Sequence, residues 1–246
     1  MISLRASLLG LALLAGTTVS AMAADLGSMR GDDDITASGT ARFYIRGDVG
    51  YDFNSKPSVS EQGLGMTDVS MGNDWNYGGG FGWYFSPNWR MDVTAEHHNG
   101  GAINGSIGAV GLLTGGTQQF NVTSDVVLAN LYYDFTGRAG FNPYLGVGLG
   151  WAANHAMSGS STDTCGCTTT IDSATANNVA WALMAGVTKE LDHGFSVDVG
   201  YRFLDVGSAH TGNVFNNVGL GYTNSALTTS SLYSNEIRVG IRYDIN

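Results

Sequence analysis

The feature that most constrains this chain is a strict alternation of apolar with polar or small residues in eight segments. In the first, Phe43, Ile45 and Val49 share one face of an extended chain, and Arg46 and Asp48 share the other. A period of two is typical of β-strands, whose successive side chains point to opposite faces. The pattern predicts strands at 43–51, 77–85, 89–96, 127–135, 144–151, 181–188, 195–203 and 236–243.

Charge is confined to one face of these strands. The apolar faces carry none, and the opposite faces carry Arg46, Asp48, Arg90, Asp92, Glu96, Asp134, Asp198, Arg202, Glu236, Arg238 and Arg242. A soluble β-sandwich would also separate the faces. It would not explain why the polar faces are rich in glycine, or why aromatic residues gather at both ends of the apolar faces.

A β-barrel in a lipid bilayer explains both observations. In lipid every backbone group must be paired, so the strands close into a ring with an apolar exterior. Eight strands enclose an interior that side chains can fill, and glycines leave room there for arginine and tyrosine. We therefore predict an all-β fold, an eight-stranded antiparallel up-and-down transmembrane β-barrel. The Arg46-Gly47-Asp48 tripeptide then points into the barrel and is not an adhesive loop.

The connections between the predicted strands alternate in length. Segments 86–88, 136–140 and 191–194 are short, and segments 54–74, 97–124, 152–177 and 204–233 are long. Short periplasmic turns and long extracellular loops are the usual asymmetry of such barrels. The sequence predicts four long extracellular loops.

The N-terminal region carries an export signal. Arg5 precedes the apolar stretch LLGLALLAG, and Ala21 and Ala23 form a small-residue cleavage site, the pattern of a secretory signal peptide. We expect a signal peptide at 1–23 cleaved after Ala23, a short periplasmic arm at 24–41 and the barrel at 42–246. With 21 acidic and 11 basic residues, the chain lacks the basic face that nucleic acid requires.

The motifs YIRGDVGY (44–51), NPYLGVGLGW (142–151) and EIRVGIRYDI (236–245) resemble the small outer-membrane β-barrel proteins of alphaproteobacteria. These are OmpA-like eight-stranded barrels of the porin family or opacity-type surface antigens. The resemblance implies the outer membrane of a Gram-negative bacterium, with lipids and lipopolysaccharide as neighbours.

The same resemblance implies folding by the barrel assembly machinery. The C-terminal recognition pattern falls on Arg238, Gly240, Tyr243 and Ile245. Ile245 replaces the usual terminal aromatic residue, and Asn246 follows it.

Few residues outside the strands suggest chemistry. Cys165 and Cys167 indicate a tight disulfide within the third long loop, or pairing with another chain, because an exported protein meets an oxidising compartment. We expect no bound metal and no cofactor. His97 and His98 are polar residues at a strand end; by resemblance alone, haem binding is an alternative. None of the five histidines has a serine two positions later, as a lipid A deacylase would, so we predict no enzyme.

Two functional hypotheses remain. In the first, a filled, monomeric barrel supports membrane integrity and presents its loops to host or environmental ligands. In the second, the barrel is a narrow porin-like channel for small solutes. A haem-binding surface protein and a lipid A-modifying enzyme are weaker alternatives.

Overall fold

A computed structural model of the chain describes residues 42–61, 64–108, 115–214 and 225–245. The predicted signal peptide at 1–23 and the arm at 24–41 lie outside these residues. Among these residues the structure contains no membrane-spanning helix. One turn of 3-10 helix, Asp192–Gly194, forms a short connection, and His193 adopts a positive φ of 62° there.

The described chain is built from fifteen strands. In chain order they are β1 (Arg42–Asn54), β2 (Val59–Glu61), β3 (Leu64–Gly65), β4 (Thr67–Met71), β5 (Asp74–Ser86), β6 (Trp89–Ile107), β7 (Gly116–Asp134), β8 (Phe141–Ala156), β9 (Gly159–Asp163), β10 (Thr168–Ile171), β11 (Ala174–Glu190), β12 (Phe195–Gly207), β13 (His210–Val214), β14 (Ser225–Thr229) and β15 (Leu232–Ile245).

Eight long strands close into a ring. Each pairs antiparallel with the next in the order β1, β5, β6, β7, β8, β11, β12, β15, and β15 pairs back with β1 from Phe43–Ile245 to Asn54–Ser234. Every strand of the ring thus has two hydrogen-bonded neighbours, as a structure in lipid requires. The predicted eight-stranded barrel is confirmed.

Exposed aromatic residues form two bands around the ring. We call the part of the ring between these two bands the lower barrel. Its outward side chains are apolar and exposed, including Ile45 at 49%, Val147 at 51% and Leu149 at 63%. Its inward side chains are mostly polar or small, with Met184 among the few apolar ones. This is the polarity expected where lipid surrounds the wall.

Aromatic residues mark both ends of the lower barrel. The band near the short turns holds Phe43, Phe85, Trp89, Phe135, Phe141, Phe195 and Tyr243, all at least 38% exposed. The opposite band includes Tyr77, Trp151 and Trp181, with Trp75 beside them. The bands separate the apolar wall from the parts of the barrel that face water.

The long connections are not irregular loops. The predicted loops at 54–74, 97–124, 152–177 and 204–233 contain seven short strands and the extended ends of long ones. β6 and β7 continue as a hairpin to Ile107 and from Gly116. β9 pairs with β7, and β10, β13, β14, β2 and β3 follow in order, while β4 pairs with β6 on the other side. We call this region the upper barrel.

The upper barrel has an apolar core. Its buried residues include Val59, Ile103, Phe120, Val122, Ile171, Leu204, Val206, Ala209, Val214, Leu227 and Leu232. They point to the inside of the wall, whereas the inside of the lower barrel is polar. The sequence-based prediction of loops missed this core because its apolar residues lie on the opposite face from those of the lower strands.

Strand β7 shows the change of polarity within one element. Its outward residues are first polar, at Thr117, Gln119, Asn121, Thr123 and Asp125, and then apolar, at Val127, Ala129, Leu131 and Tyr133. Its inward residues are first mostly apolar, from Phe120 to Leu128, and then polar, at Asn130, Tyr132 and Asp134. At the aromatic band that includes Trp151 and Trp181, which we call the outer aromatic band, the outward side chains change from polar to apolar and the inward side chains change from mostly apolar to polar.

Candidate functional site

The interior of the lower barrel is a network of paired charges. Arg46 donates to both carboxylate oxygens of Asp48, from Nε at 2.8 Å and from Nη2 at 2.7 Å, and through Nη1 to Asp92 at 2.9 Å. The Arg46 and Asp48 side chains are 6% and 2% exposed. The Arg-Gly-Asp tripeptide of β1 is therefore not available to an external receptor.

Asp92 joins three strands at the centre of this network. Besides Arg46, it accepts hydrogen bonds from the Tyr44 hydroxyl at 2.9 Å and the Asn130 amide at 2.8 Å. A carboxylate with several donors can stay buried, whereas an unpaired one could not.

Arg90 connects the centre to the end with the short turns. Its Nε donates to Asp134 at 2.9 Å, and its guanidinium lies 3.9 Å from the centre of the Tyr132 ring. The Arg90 side chain is 1% exposed. Charge pairing and cation–π contact together satisfy this buried cation.

A second cluster lies nearer the upper barrel and is centred on Glu96. Arg202 donates to it through two nitrogen atoms, at 3.0 and 2.5 Å, and Arg238 donates at 2.9 Å. Arg202 also donates to Glu236 at 2.7 Å. Bidentate contacts of this kind fix the guanidinium plane as well as its charge.

The remaining predicted pair is Arg242 and Asp198, whose charged atoms are 3.6 Å apart. Every one of the eleven predicted interior charges lies on the inner face with an opposite charge within 4.0 Å, namely Arg46, Asp48, Arg90, Asp92, Glu96, Asp134, Asp198, Arg202, Glu236, Arg238 and Arg242.

Some interior residues were missed by sequence reasoning. Asp52 is buried and accepts hydrogen bonds from Asn76 and from His98, whose Nδ1 lies 2.8 Å away. Asp52 and His98 both continue the inward alternation one step beyond the predicted strand ends. Extending each strand until the alternation failed would have found them.

The two adjacent histidines lie on opposite sides of the wall. His98 points inward to Asp52, while the Nδ1 of His97 lies 2.6 Å from Asp125 on the outer surface. Neighbouring residues of a strand face opposite ways. His97 and His98 of one chain therefore do not form a joint haem site.

Three of the cavities that described residues line show how closely the interior side chains pack. The cavity lined by Arg46, Asp48, Tyr132 and Arg238 measures about 10 Å³, near the minimum for one water molecule. A cavity near the upper barrel, lined by Asp52 and His98, measures about 30 Å³. The largest of these three, about 130 Å³, lies at the short-turn end beside Asp134 and Arg242.

Glycines make this dense interior possible. A Cβ atom at Gly186 would lie 2.6 Å from the Tyr144 hydroxyl, and one at Gly240 would collide with the Asp48 carboxylate. The large polar side chains thus occupy space that the glycines on neighbouring strands leave open. This arrangement explains the glycine-rich polar face seen in the sequence.

The structure also locates the two other sets of predicted residues. Of the predicted assembly signal on β15, Arg238 is buried, whereas Tyr243 and Ile245 are exposed, 40% and 42%, on the opposite face from Arg238 and Gly240. Cys165 and Cys167 are exposed free thiols with sulfur atoms 2.7 Å apart. Their disulfide stays a prediction.

Two groups of side chains in the described ranges have donor atoms close enough to share a cation. In the group Asp52, His98 and Glu236, the carboxylates already have Asn76, Arg202 and Ser234 as hydrogen-bond donors. The group Asp163, Cys165 and Cys167 supplies three donors, one fewer than a structural zinc site uses. The absence of a metal stays a prediction.

The chain is similar to proteins of known sequence and structure. It is 26% identical over 244 residues to an uncharacterized protein of Brucella suis, covering 83% of this chain and 85% of that one. It is 26% identical over 220 residues to a Rickettsia bellii protein that carries the provisional name of adhesin, covering 84% and 90%.

Among solved structures, the outer membrane protein OprG from Pseudomonas aeruginosa has a similar fold. The TM-score is 0.52 at 17% identity, with 84% of this chain and 96% of that chain covered. The model of the outer membrane protein beta-barrel domain matches residues 9–244. With its closed ring and apolar exterior, the chain belongs to this family of outer-membrane β-barrel proteins.

Proposed function

We propose that this protein is a surface-interaction component of the outer membrane, in which a filled lower barrel anchors and orients the upper barrel. The observation that carries the proposal is the apolar core of the upper barrel. Val59, Ile103, Phe120, Ile171 and Leu227 are each at most 2% exposed. Such a core supports an ordered external surface, whereas loops without one would move independently.

The outer face of the upper barrel is suited to polar contacts. On β7 it presents Thr117, Gln119 and Asn121, and the neighbouring strands β9 and β10 carry further serine and threonine residues. Residues on a rigid scaffold pay less conformational entropy when they bind than residues in mobile loops. Adhesion is the interaction that the name of the Rickettsia bellii relative suggests.

The interior argues against the alternative of a narrow channel. Ions would have to pass Arg46, Asp48 and Arg202, which are held in paired contacts around a cavity of about 10 Å³. They would then meet the apolar core of the upper barrel. Breaking buried ion pairs costs several kcal/mol each, so the proposal assigns the barrel a structural role.

We expect three further properties. The barrel is a monomer, because each of the eight ring strands is already paired on both sides. It contacts lipids and lipopolysaccharide through its apolar exterior, and it has no catalytic function. The predicted signal peptide would deliver it to the envelope, and the barrel assembly machinery would fold it.

Two measurements test this function. First, the chain without residues 1–23 is refolded into a planar bilayer, with a heat-shifted gel band as proof of folding. We expect no reproducible conductance steps. Steady, salt-dependent steps would replace the structural role with the channel.

Second, a laboratory Gram-negative strain displays the chain, and its attachment to cultured mammalian cell monolayers is counted. We expect attachment above that of the empty strain, and its loss when Thr117, Gln119 and Asn121 are together replaced by lysine. The matched control replaces the inward Ser124 by alanine, which leaves the outer face unchanged. Equal attachment of all strains to the monolayers would contradict the adhesive role.

A further inference from the structure

The hairpin between β9 and β10 carries two thiol groups at its tip. Cys165 and Cys167 are both exposed, and so are Gly166 between them and Thr164 before them. Both flanking strands are paired on their other sides, β9 with β7 and β10 with β13. The thiols are therefore held at the surface of the upper barrel by an ordered support.

Hydrogen bonds fix the shape of this tip. Oδ1 of Asp163 accepts the N–H of Cys165 at 3.0 Å and the N–H of Cys167 at 2.8 Å. The N–H of Asp163 donates to the Cys167 carbonyl oxygen at 3.0 Å. Gly166 has φ of +82°, a left-handed conformation that glycine adopts without steric cost.

We propose that the Cys165-Gly166-Cys167 tip is a thiol–disulfide exchange site, whose partner is a thiol or disulfide on a molecule outside the cell. This inference does not rest on the adhesive function. The two sulfur atoms are in contact, and both side chains are exposed. Each thiol can therefore reach the other as well as an external partner.

The thiol–disulfide exchange can run in both directions. The thiolate of one cysteine attacks an external disulfide, forms a mixed disulfide and releases one external thiolate, which takes up a proton. The second cysteine then attacks the mixed disulfide, closes the intramolecular bond and releases the second external thiol. The protein loses two hydrogen atoms and the external disulfide gains them; external thiols drive the reverse reaction.

Exposure favours exchange over a permanent disulfide. A bond between Cys165 and Cys167 would close over one residue, Gly166, and would lie at the exposed tip of the hairpin. Exposed disulfides are more readily reduced than buried structural ones. An external thiol can reach this bond directly because both cysteines are exposed.

Asp163 adjusts the reactivity of the pair. Its carboxylate, followed by the contact with Cys167, raises the pKa of the Cys165 thiol to about 11. A higher pKa lowers the thiolate fraction, and greater nucleophilicity only partly offsets this. Replacing Asp163 by asparagine keeps an oxygen acceptor for the two backbone N–H groups and removes the charge.

The experiment uses the refolded protein in lipid nanodiscs, with oxidised and reduced glutathione as the probes and intact-mass spectrometry as the readout. We expect excess oxidised glutathione to convert the wild-type dithiol to the form lacking two hydrogen atoms, and reduced glutathione to reverse this. C167S cannot close the ring and should accumulate roughly tenfold more glutathione adduct than the wild type. A heat-shifted gel band confirms that each variant is folded.

A variant of Asp163 tests the effect of its charge. In the C167S background, D163N should form the Cys165 adduct up to about tenfold faster at neutral pH, because the thiolate is no longer disfavoured. Three results would overturn the proposal: a dithiol that resists excess oxidised glutathione, a ring that resists reduced glutathione, or one zinc ion per chain that blocks both reactions. Each outcome is independent of attachment to cells.

Discussion

The lower and upper barrels share several long strands, including β7, yet their polarity is reversed. In the lower barrel Val127 and Ala129 face outward and Asn130 and Tyr132 face inward; a few residues earlier on β7, Asn121 faces outward and Phe120 inward. The difference follows from the solvent on each side of the wall. Lipid requires an apolar exterior, and water permits a polar exterior over an apolar core.

The interiors of the lower and upper barrels are stabilised by different interactions. The lower barrel relies on directional contacts, such as those of Arg202 with Glu96 and Glu236. The upper barrel relies on packing, with Phe120 and Leu227 removed from water. Loss of one charge should leave buried partners unpaired, whereas loss of one apolar side chain should leave a cavity.

The largest effect is expected for Arg202→Met in the lower barrel. It removes the arginine that Glu96 and Glu236 share, so that buried Glu236 has no arginine partner and Glu96 keeps only Arg238. The free energy of unfolding should therefore fall by about 3–5 kcal/mol. Equilibrium urea unfolding in lipid vesicles, followed by tryptophan fluorescence, measures the change. Adding Glu236→Gln should restore part of it. A loss below about 1 kcal/mol would show that the network is not a major source of stability.

The next effect is expected for Phe120→Ala in the upper barrel. Removal of this buried ring should cost about 3–4 kcal/mol, but the damage should stay above the outer aromatic band. Limited proteolysis should become faster in the upper barrel while the heat-shifted band of the lower barrel persists. The adjacent outward variant Asn121→Ala is the control. If both regions unfold together, the two halves are one cooperative unit.

The boundary between the halves can be tested on one strand. Ala129→Arg places a charge on the lipid-facing wall and should cost about 2–3 kcal/mol, whereas Asn121→Arg, on the same outward face, should change stability by less than about 0.5 kcal/mol. Urea unfolding in vesicles compares the two. Equal losses of stability for the two variants would mean that residues 121 and 129 face the same solvent.

The smallest effect is expected for Arg42→Gln at the short-turn end. Arg42 pairs with Asp244 at 3.3 Å, but its side chain is 49% exposed, and pairs in water contribute about 0–1 kcal/mol. Unfolding in low and high salt should give nearly equal values for this variant and the wild type. A loss as large as that of Arg202→Met would remove the distinction between buried and exposed pairs.

Sequence reasoning succeeded where one rule governs a whole segment. The alternation around Arg46, Asp92 and Arg238 placed each charge on the inner face, because lipid excludes charge from the other face. It failed at 97–124, where Phe120 and Val122 continue the alternation with the opposite polarity. The sequence does not give the position of the membrane boundary. The reversal of polarity is therefore indistinguishable, in the sequence alone, from the end of a strand.

The sequence by itself determined the eight-stranded ring, its apolar wall and the inward direction of its charges, since each follows from period-two patterning and from the solvent that surrounds the wall. The tertiary structure alone decided which charges pair, because Glu96 meets Arg202 and Arg238 from strands far apart in the chain. It also decided that the long connections fold into an upper barrel. That core is assembled from short strands and from the extended ends of long ones, none of which can bury its apolar face alone.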